Sequence, residues 1–395
     1  VQLDLSFGAG FTALFDVSQI DGSYTMVFGT EVDVSSSIQT QYFSQYGDVI
    51  ILSIPSDYSG DSLKYFENTT GGMGYKQHES DPMQLDDWQQ LGREFIGDTD
   101  EDYLEGNCIS ADGKTIAVSA LGVSSNGYTD NGVVRIYTHS NDTWTQVGSD
   151  INGEATDSNI RVRNISADGN TVLCFSVLGG QGFFHLFRYM NNTWTKIGQD
   201  IEQSHNSTTI SSDGNTFAFG LINNSDAGSN RGRVQVYGYS NNTWIQLGEN
   251  IYGEENGDNS GLGVSLSSDG TVIAITSYRH SGTIANIGHV RVWGYSNNTW
   301  TQIGQDIDGI TSNEFSGHSC SLSADGTIVS IGVQAGDSAT LTDCGLVRVY
   351  KYNNSNSTWT QLGASIEGWE GGMTNSHTTI SADGTTDTFG TQSGR

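Results

Sequence analysis

Proline and positive charge are the scarcest features of this sequence, with 2 prolines in 395 residues and 16 Lys and Arg against 45 Asp and Glu. The formal charge of -29 repels phosphate backbones and anionic membrane surfaces, so no nucleic-acid partner is expected and the acidity reads as a solvated surface. No apolar run approaches the roughly 20 residues that span a bilayer, and there is no basic-then-apolar leader, so no membrane insertion is expected. The chain opens on Val1, as a mature secreted chain or an excised fragment would. Four cysteines are too few for a disulfide framework, and no Cys-x-x-Cys or Cys/His set has zinc spacing. The nucleophile elbow Gly-x-Ser-x-Gly, the Gly-rich phosphate loop and the His-Glu-x-x-His helix are all missing, and the eight histidines are scattered, each with a structural role as its default. These motif absences set the expectation that the protein is not an enzyme.

What is abundant is turn chemistry, including 51 glycines, and it recurs on a ruler. The phrase Asn297-Asn298-Thr299-Trp300-Thr301-Gln302-Ile303-Gly304 has close copies around Trp144, Trp194, Trp244 and Trp359, and a degenerate one around Trp88; successive tryptophans are 56, 50, 50, 56 and 59 residues apart. Ser-x-Asp-Gly turns keep step at Ser110, Ser166, Ser211, Ser267, Ser323 and Ser381. So does a third landmark, the strand Val-Arg-Val-Trp and its variants at Val134, Phe184, Val234, Val290 and Val347. Short strands repeated at such a period predict a propeller or an array of four-stranded units rather than a helical or mixed domain.

The sequence predicts an all-β, seven-bladed propeller of four-stranded blades forming a single domain over 1-395. Residues 96-395 are regular repeats ending in a half blade, 36-95 form a degenerate blade, and 1-35 complete the last blade. In that scheme Phe11 to Phe15 serve as a third strand and Tyr24 to Gly29 as a fourth. The N-terminal strands then pair with the C-terminal ones and close the ring, which leaves no unpaired radial gap. The core is expected between blades, since both faces of each blade pack on neighbours. Two candidate disulfides fit the repeat arrangement, Cys320 with Cys344 in one repeat and Cys108 with Cys174 in neighbouring repeats; buried free thiols are the alternative.

The run from Ser260 to Ile275, followed by Gly288-His289-Val290-Arg291-Val292, resembles the FG-GAP repeat of integrin-alpha-type propellers. It is closer still to uncharacterised secreted repeat proteins with units of Trp-x-Gln-x-Gly, Ser-x-Asp-Gly and Gly-x-Val-Arg-Val-Tyr. The resemblance covers residues 88 to 395 and implies a seven-bladed extracellular propeller used in adhesion or assembly. Integrin-type repeats carry an Asp-x-Asp-x-Asp-Gly calcium loop where this chain has the short Ser-x-Asp-Gly turn. That leaves too few oxygens for the six to eight ligands of calcium, so those sites are not carried over.

No cofactor is required by any motif. Calcium is considered at Asp98, Asp100 and Asp102, where carboxylates alternate, although Tyr103 stands in the place of the EF-hand glycine; a solvated acidic loop is the alternative. Glu254 to Asp258 is a thinner version of the same signal. The Ser-x-Asp-Gly turns also resemble sialidase Asp-boxes, but Arg135, Arg291 and Arg348 repeat at one strand position, which reads as pairing between blades rather than a substrate clamp. Ten Asn-x-Ser/Thr sequons are the candidate glycosylation sites: Asn68, Asn141, Asn164, Asn191, Asn206, Asn223, Asn241, Asn297, Asn353 and Asn356. Asn141, Asn191, Asn241, Asn297 and Asn356 fall three residues before a tryptophan, where Asn also serves simply as a turn residue.

The expected function is therefore that of a non-catalytic, N-glycosylated, extracellular or cell-surface protein acting in adhesion or as a subunit of an assembly such as a surface filament, with protein partners or copies of itself. A carbohydrate-binding propeller is the alternative, favoured if the phased tryptophans are exposed, and a glycoside hydrolase is third.

Overall fold

The computed structural model describes residues 103-393 apart from 142, 369 and 370, the strands Gln2–Phe7, Phe11–Asp16, Tyr65–Asn68 and Tyr75–His78, and residues 91 and 95. Among the described residues the structure is all-β, without a helix. Five four-stranded antiparallel meanders, spanning 104-146, 161-196, 207-246, 264-302 and 316-361, follow one another in a propeller-like series. In the fourth, Val264–Leu266, Val272–Ser277, His289–Ser296 and Thr299–Gln302 pair in chain order. A two-residue segment unanticipated from the sequence, Ile307–Asp308, pairs with the start of the third strand, and each of the other four sheets has its counterpart. The hairpin of Met373–Ile380 with Asp387–Ser393 follows as a two-stranded sheet.

Strand alternation explains where the core sits. On the third strand Val290 and Val292 face one way while Arg291 and Trp293 face the other. Val290 and Val292, with Ala274 and Ile307, pack against Leu322, Val329, Ile331 and Trp359 of the next sheet. The preceding interfaces have the same composition from two sheets, as in Leu173, Phe184 and Leu186 against Phe217, Phe219 and Trp244. The core is thus distributed between neighbouring sheets, as expected from two-faced blades.

Two of the repeated phrases are the devices that join neighbours. Each tryptophan indole N–H donates to a backbone carbonyl three residues after the tryptophan of the preceding repeat: Trp194 to Val147, Trp244 to Ile197, Trp300 to Leu247 and Trp359 to Ile303, at 2.7–2.9 Å. The glycine one residue later faces the same ring; a Cβ on Gly198 would lie 2.4 Å from Trp244, and its φ of +70° favours glycine as well. Trp144 reaches back in the same way to the carbonyl of Leu91.

The second device is the Ser-x-Asp-Gly turn. In each of the six turns the serine hydroxyl donates to the aspartate at 2.6–2.8 Å and accepts the amide five residues on, closing the hairpin. The residue after the serine then bonds its counterpart in the next repeat: the amides of Ala111, Ala167, Ser212, Ser268 and Ala324 donate to the carbonyls of Ala167, Ser212, Ser268, Ala324 and Ala382 at 2.7–3.0 Å. The first strands of successive sheets meet as well, for instance where the amide of Leu322 donates to Ser265 Oγ and that of Ile380 to Ser321 Oγ. First strands therefore converge along one edge, and the tryptophan strands lie at the opposite edge.

At the N-terminal end, Phe11–Asp16 pairs with Gln2–Phe7 in a hairpin, and among the described residues Asp387–Ser393 pairs only with Met373–Ile380. The expected fourth strand at Tyr24 lies outside the described residues. The cysteines considered for two bridges are all free thiols. Cys320 packs in the cluster around Ile331 and Trp359 while Cys344 belongs to a separate one with Val333 and Leu346, its Sγ directed at the Gly336 carbonyl. Cys108 and Cys174 share one cluster, and burial pushes the Cys108 thiol up to about 12.

Candidate functional site

The third strand carries a polar side chain at one fixed position of every sheet, and its partners show how each blade treats it. Arg135 pairs with Asp150 at 3.1 Å within its own repeat. His185 takes the same place, with Nδ1 2.7 Å from Asp200 and Nε2 2.7 Å from Ser176 Oγ. In the next repeat Gln235 bonds Gln246, which in turn bonds Asn250. Arg291 instead reaches into the preceding repeat, to Glu254 at 3.2 Å and the Tyr252 carbonyl at 2.6 Å. Arg348 does likewise, forming a two-pronged pair with Glu314 at 2.7 and 3.1 Å, both residues at most 4% exposed. The expectation that these arginines join neighbouring repeats holds for Arg291 and Arg348, and Arg135 holds Asp150 of its own repeat.

Next to Arg291 the structure assembles groups that are far apart in sequence. His289 opens the third strand directly opposite Asp308, and Asp306 lies two residues before Asp308. His280 ends the turn after the second strand and stacks on His289, with ring centroids 4.1 Å apart. Glu254 and Asp258 come in from the preceding repeat. Ligand atoms of Glu254, His280 and His289 lie within 4.8 Å of one another, as do those of His289, Asp306 and Asp308. Asp258 holds His280 through Nδ1 at 3.1 Å and accepts the amides of Glu254 and Glu255, so the acidic loop is folded onto the histidine.

Electrostatics separate the two rings. The bond to Asp258 raises the His280 pKa against the opposing effect of burial. Burial, with His280 and Arg291 adding to it, pushes His289 down to about 3, which keeps its imidazole neutral. Burial and the facing Asp306 raise the Asp308 carboxyl. His289 is 0% exposed, and neither ring nitrogen has a hydrogen-bond partner; Asp308 and Asp306 stand 3.8 and 4.0 Å from Nδ1, beyond hydrogen-bond range. Leaving a buried polar group unsatisfied costs about 1–3 kcal/mol.

The sequence contained a signal for this place, namely departure from the repeat. Positions equivalent to His289, each opposite the two-residue segment, hold Val133, Phe183, Arg233 and Leu346. Among the five described sheets, only this one combines histidine there with aspartates at the facing position and two residues before it. The loop Glu254 to Asp258 was considered for calcium by itself; what gives it neighbours is tertiary packing.

The other candidates are dispersed. Asp98, Asp100 and Asp102 lie outside the described residues, as does the Asn68 side chain. Asn141, Asn191, Asn241 and Asn297 are exposed at the turn between third and fourth strands, each with positive φ of 49–51°. Asn192, Asn242 and Asn298 follow with φ of 61–63°, the two-residue turn with both central residues left-handed that suits hairpins. Asn353 and Asn356 are exposed in a longer version of that turn, and Asn206 and Asn223 are exposed in other loops. Asn164 differs: it is half-buried on a first strand and accepts the Thr208 hydroxyl at 2.6 Å.

No family model matches this chain, and no curated protein sequence matches it. Solved structures with a similar course include a functionally unknown protein from Desulfotomaculum acetoxidans, at 12% identity and TM-score 0.43 over 66% of this chain and 69% of that one. The periplasmic gluconolactonase PpgL of Pseudomonas aeruginosa is similar at 14% identity and TM-score 0.42, over 68% and 73%. The hydrazine synthase of Kuenenia stuttgartiensis is similar at 14% identity and TM-score 0.42, over 71% and 78%. Likeness at this level carries no inference to the activity of this chain.

Proposed function

We propose that this chain is a non-catalytic, extracellular, N-glycosylated propeller of the FG-GAP-like kind, closed as seven blades, that works in adhesion or as a subunit of an extracellular assembly such as a surface filament. The observation that carries the reading is the division of labour inside the repeated phrase. Trp194, Trp244, Trp300 and Trp359 are 2–8% exposed and joined to the preceding repeat, while the asparagines three residues earlier stand exposed and in phase along the edge that carries the tryptophan strands. Glycans on Asn141, Asn191, Asn241, Asn297 and Asn356 would cover that edge and leave the loop faces for partners. Burial of the four indoles removes the stacking platform that a carbohydrate-binding propeller would have used, which favours the structural reading over that alternative. The hold of Trp144 on Leu91 supports a further blade before residue 104, and the N-terminal hairpin is the element available to complete the C-terminal half blade.

The test is glycopeptide mass spectrometry and electron microscopy on protein taken from its source. Modified Asn241 and Asn297, seven blades in the projected ring and co-purifying neighbours are expected. Unmodified asparagines together with a strictly monomeric particle that captures no partner would overturn the proposal.

A further inference from the structure

We propose that His289, Asp306 and Asp308, with His280 and Glu254 beside them, form a binding site for a first-row divalent transition cation of the zinc class. The strongest observation is His289 itself. A fully buried imidazole with two unpartnered nitrogens stands where other repeats place Val133, Phe183, Arg233 and Leu346, and its Nδ1 faces two carboxylates. Three of those residues are apolar and Arg233 has its own partner in Asp226, so the histidine calls for a partner that completes it.

The geometry of such a partner is constrained. Asp308 Oδ1 and Asp306 Oδ2 lie 3.8 and 4.0 Å from His289 Nδ1. A tetrahedral ion with bonds of about 2.0–2.1 Å places its donors about 3.3 Å apart, so each aspartate closes on His289 by roughly 0.5–0.7 Å, and the two carboxylates, within 4.8 Å of each other, turn towards the same ion. Strand pairing supplies the preorganisation, since His289 and Asp308 are cross-strand neighbours. His280 is arranged as metal-binding histidines commonly are, with Nδ1 tied to the Asp258 carboxylate and Nε2 outside that bond. Charge points the same way, because four carboxylates, Glu254, Asp258, Asp306 and Asp308, outnumber the two guanidinium groups beside them, Arg291, which already holds Glu254, and Arg231, which is bonded to the Gly253 carbonyl.

Donor chemistry selects the class of ion. Imidazole with carboxylate oxygen suits zinc and its neighbours, whereas calcium takes six to eight oxygens and magnesium retains most of its water. Three to four protein donors leave a position for water. His289, Asp306 and Asp308 come from one repeat and Glu254 from the preceding one, so an ion that also took Glu254 would join the two repeats. Its existence is independent of the adhesion or assembly role.

The experiment is calorimetric titration of chelator-stripped, full-length protein with zinc chloride, and separately with calcium chloride, together with the visible absorption of the cobalt-loaded protein. The variants are His289→Val, which installs the residue found at Val133, and the exposed-side pair Asp306→Asn with Asp308→Asn. Expected are a single zinc ion per chain, a rise in melting temperature with zinc and not with calcium, the absorption of a four- or five-coordinate cobalt centre, and at least a tenfold loss of zinc affinity in either variant. Absence of zinc binding by the wild-type chain overturns the proposal. Undiminished binding by His289→Val, or by the double variant, places the ion elsewhere and overturns it equally. Should the double variant fail to fold, His289→Val and the wild-type cobalt spectrum decide.

Discussion

Replacing Trp244 by Phe isolates what the repeated tryptophan does. The ring is 2% exposed and its N–H donates at 2.9 Å to the Ile197 carbonyl, a buried bond across two repeats. Phe fills most of the same space but leaves that carbonyl without its donor, at about 1–3 kcal/mol. The smaller ring adds about 1 kcal/mol of lost packing against Phe217 and Gly198, giving about 2–4 kcal/mol in all. The molecule supplies its own control, because Trp144 makes the equivalent bond to Leu91 in an exposed setting, where water can replace the indole donor. Trp144→Phe is expected to cost less than about 1 kcal/mol. Urea unfolding followed by circular dichroism reads both, and hydrogen exchange localises the effect, with faster exchange expected at the amides of Ile197 and Trp244. Equal, small losses at the two positions, or a larger loss at Trp144, would refute the idea that buried indole bonds join the repeats.

Glu314→Gln removes the charge that balances Arg348 in a pair at most 4% exposed, and a destabilisation of about 3–5 kcal/mol is expected in the same urea assay, with the double replacement Glu314→Met and Arg348→Leu milder than the single one. Acid should weaken the ladder of Ser-x-Asp-Gly turns. At Asp112 and Asp383 the bonds from Ser110 and Ser381 and from the following amides lower the carboxyl pKa, to about 2 for Asp383. At Asp168, Asp213, Asp269 and Asp325 burial pushes the pKa up, but the combined hydroxyl and amide donors outweigh it and the net shift is downward. A depressed folded-state pKa gives stability that is present above the unfolded value near 4 and is lost as pH falls through the folded one, so melting temperature should drop between about pH 4 and 2. Asp308 and Asp387, both raised by burial first, act in the opposite sense and soften the trend. Changing Asp213 and Asp269 to Asn should flatten the acid limb of the melting-temperature profile, and an unchanged profile would exclude these turns as its source.

Much of the architecture was legible in the chain because its determinants are local. Asp269 bonding within its own turn, paired left-handed asparagines such as Asn297 and Asn298, and the two-residue alternation of Val290 and Val292 require only neighbouring residues, so landmarks repeated in the sequence become strands repeated in space. The two-residue segment Ile307–Asp308 escaped notice because it is too short to show alternation, yet it is the element that sets Asp308 opposite His289.

By itself, then, the sequence determined the all-β class, the strand order within each repeat, the spacing of the tryptophans and the placement of the core between repeats. Only the tertiary structure decided what those repeats do to one another. The reason is that each interface is formed by residues far apart in the chain, such as Trp244 with Ile197, 47 positions away, or Arg348 with Glu314, 34 positions away, whose partners no local pattern names. The same holds for the histidine site. Glu254 lies in an acidic loop and His289 departs from its repeat, but they become a cluster only when one repeat's loop folds over the opening of the next repeat's third strand.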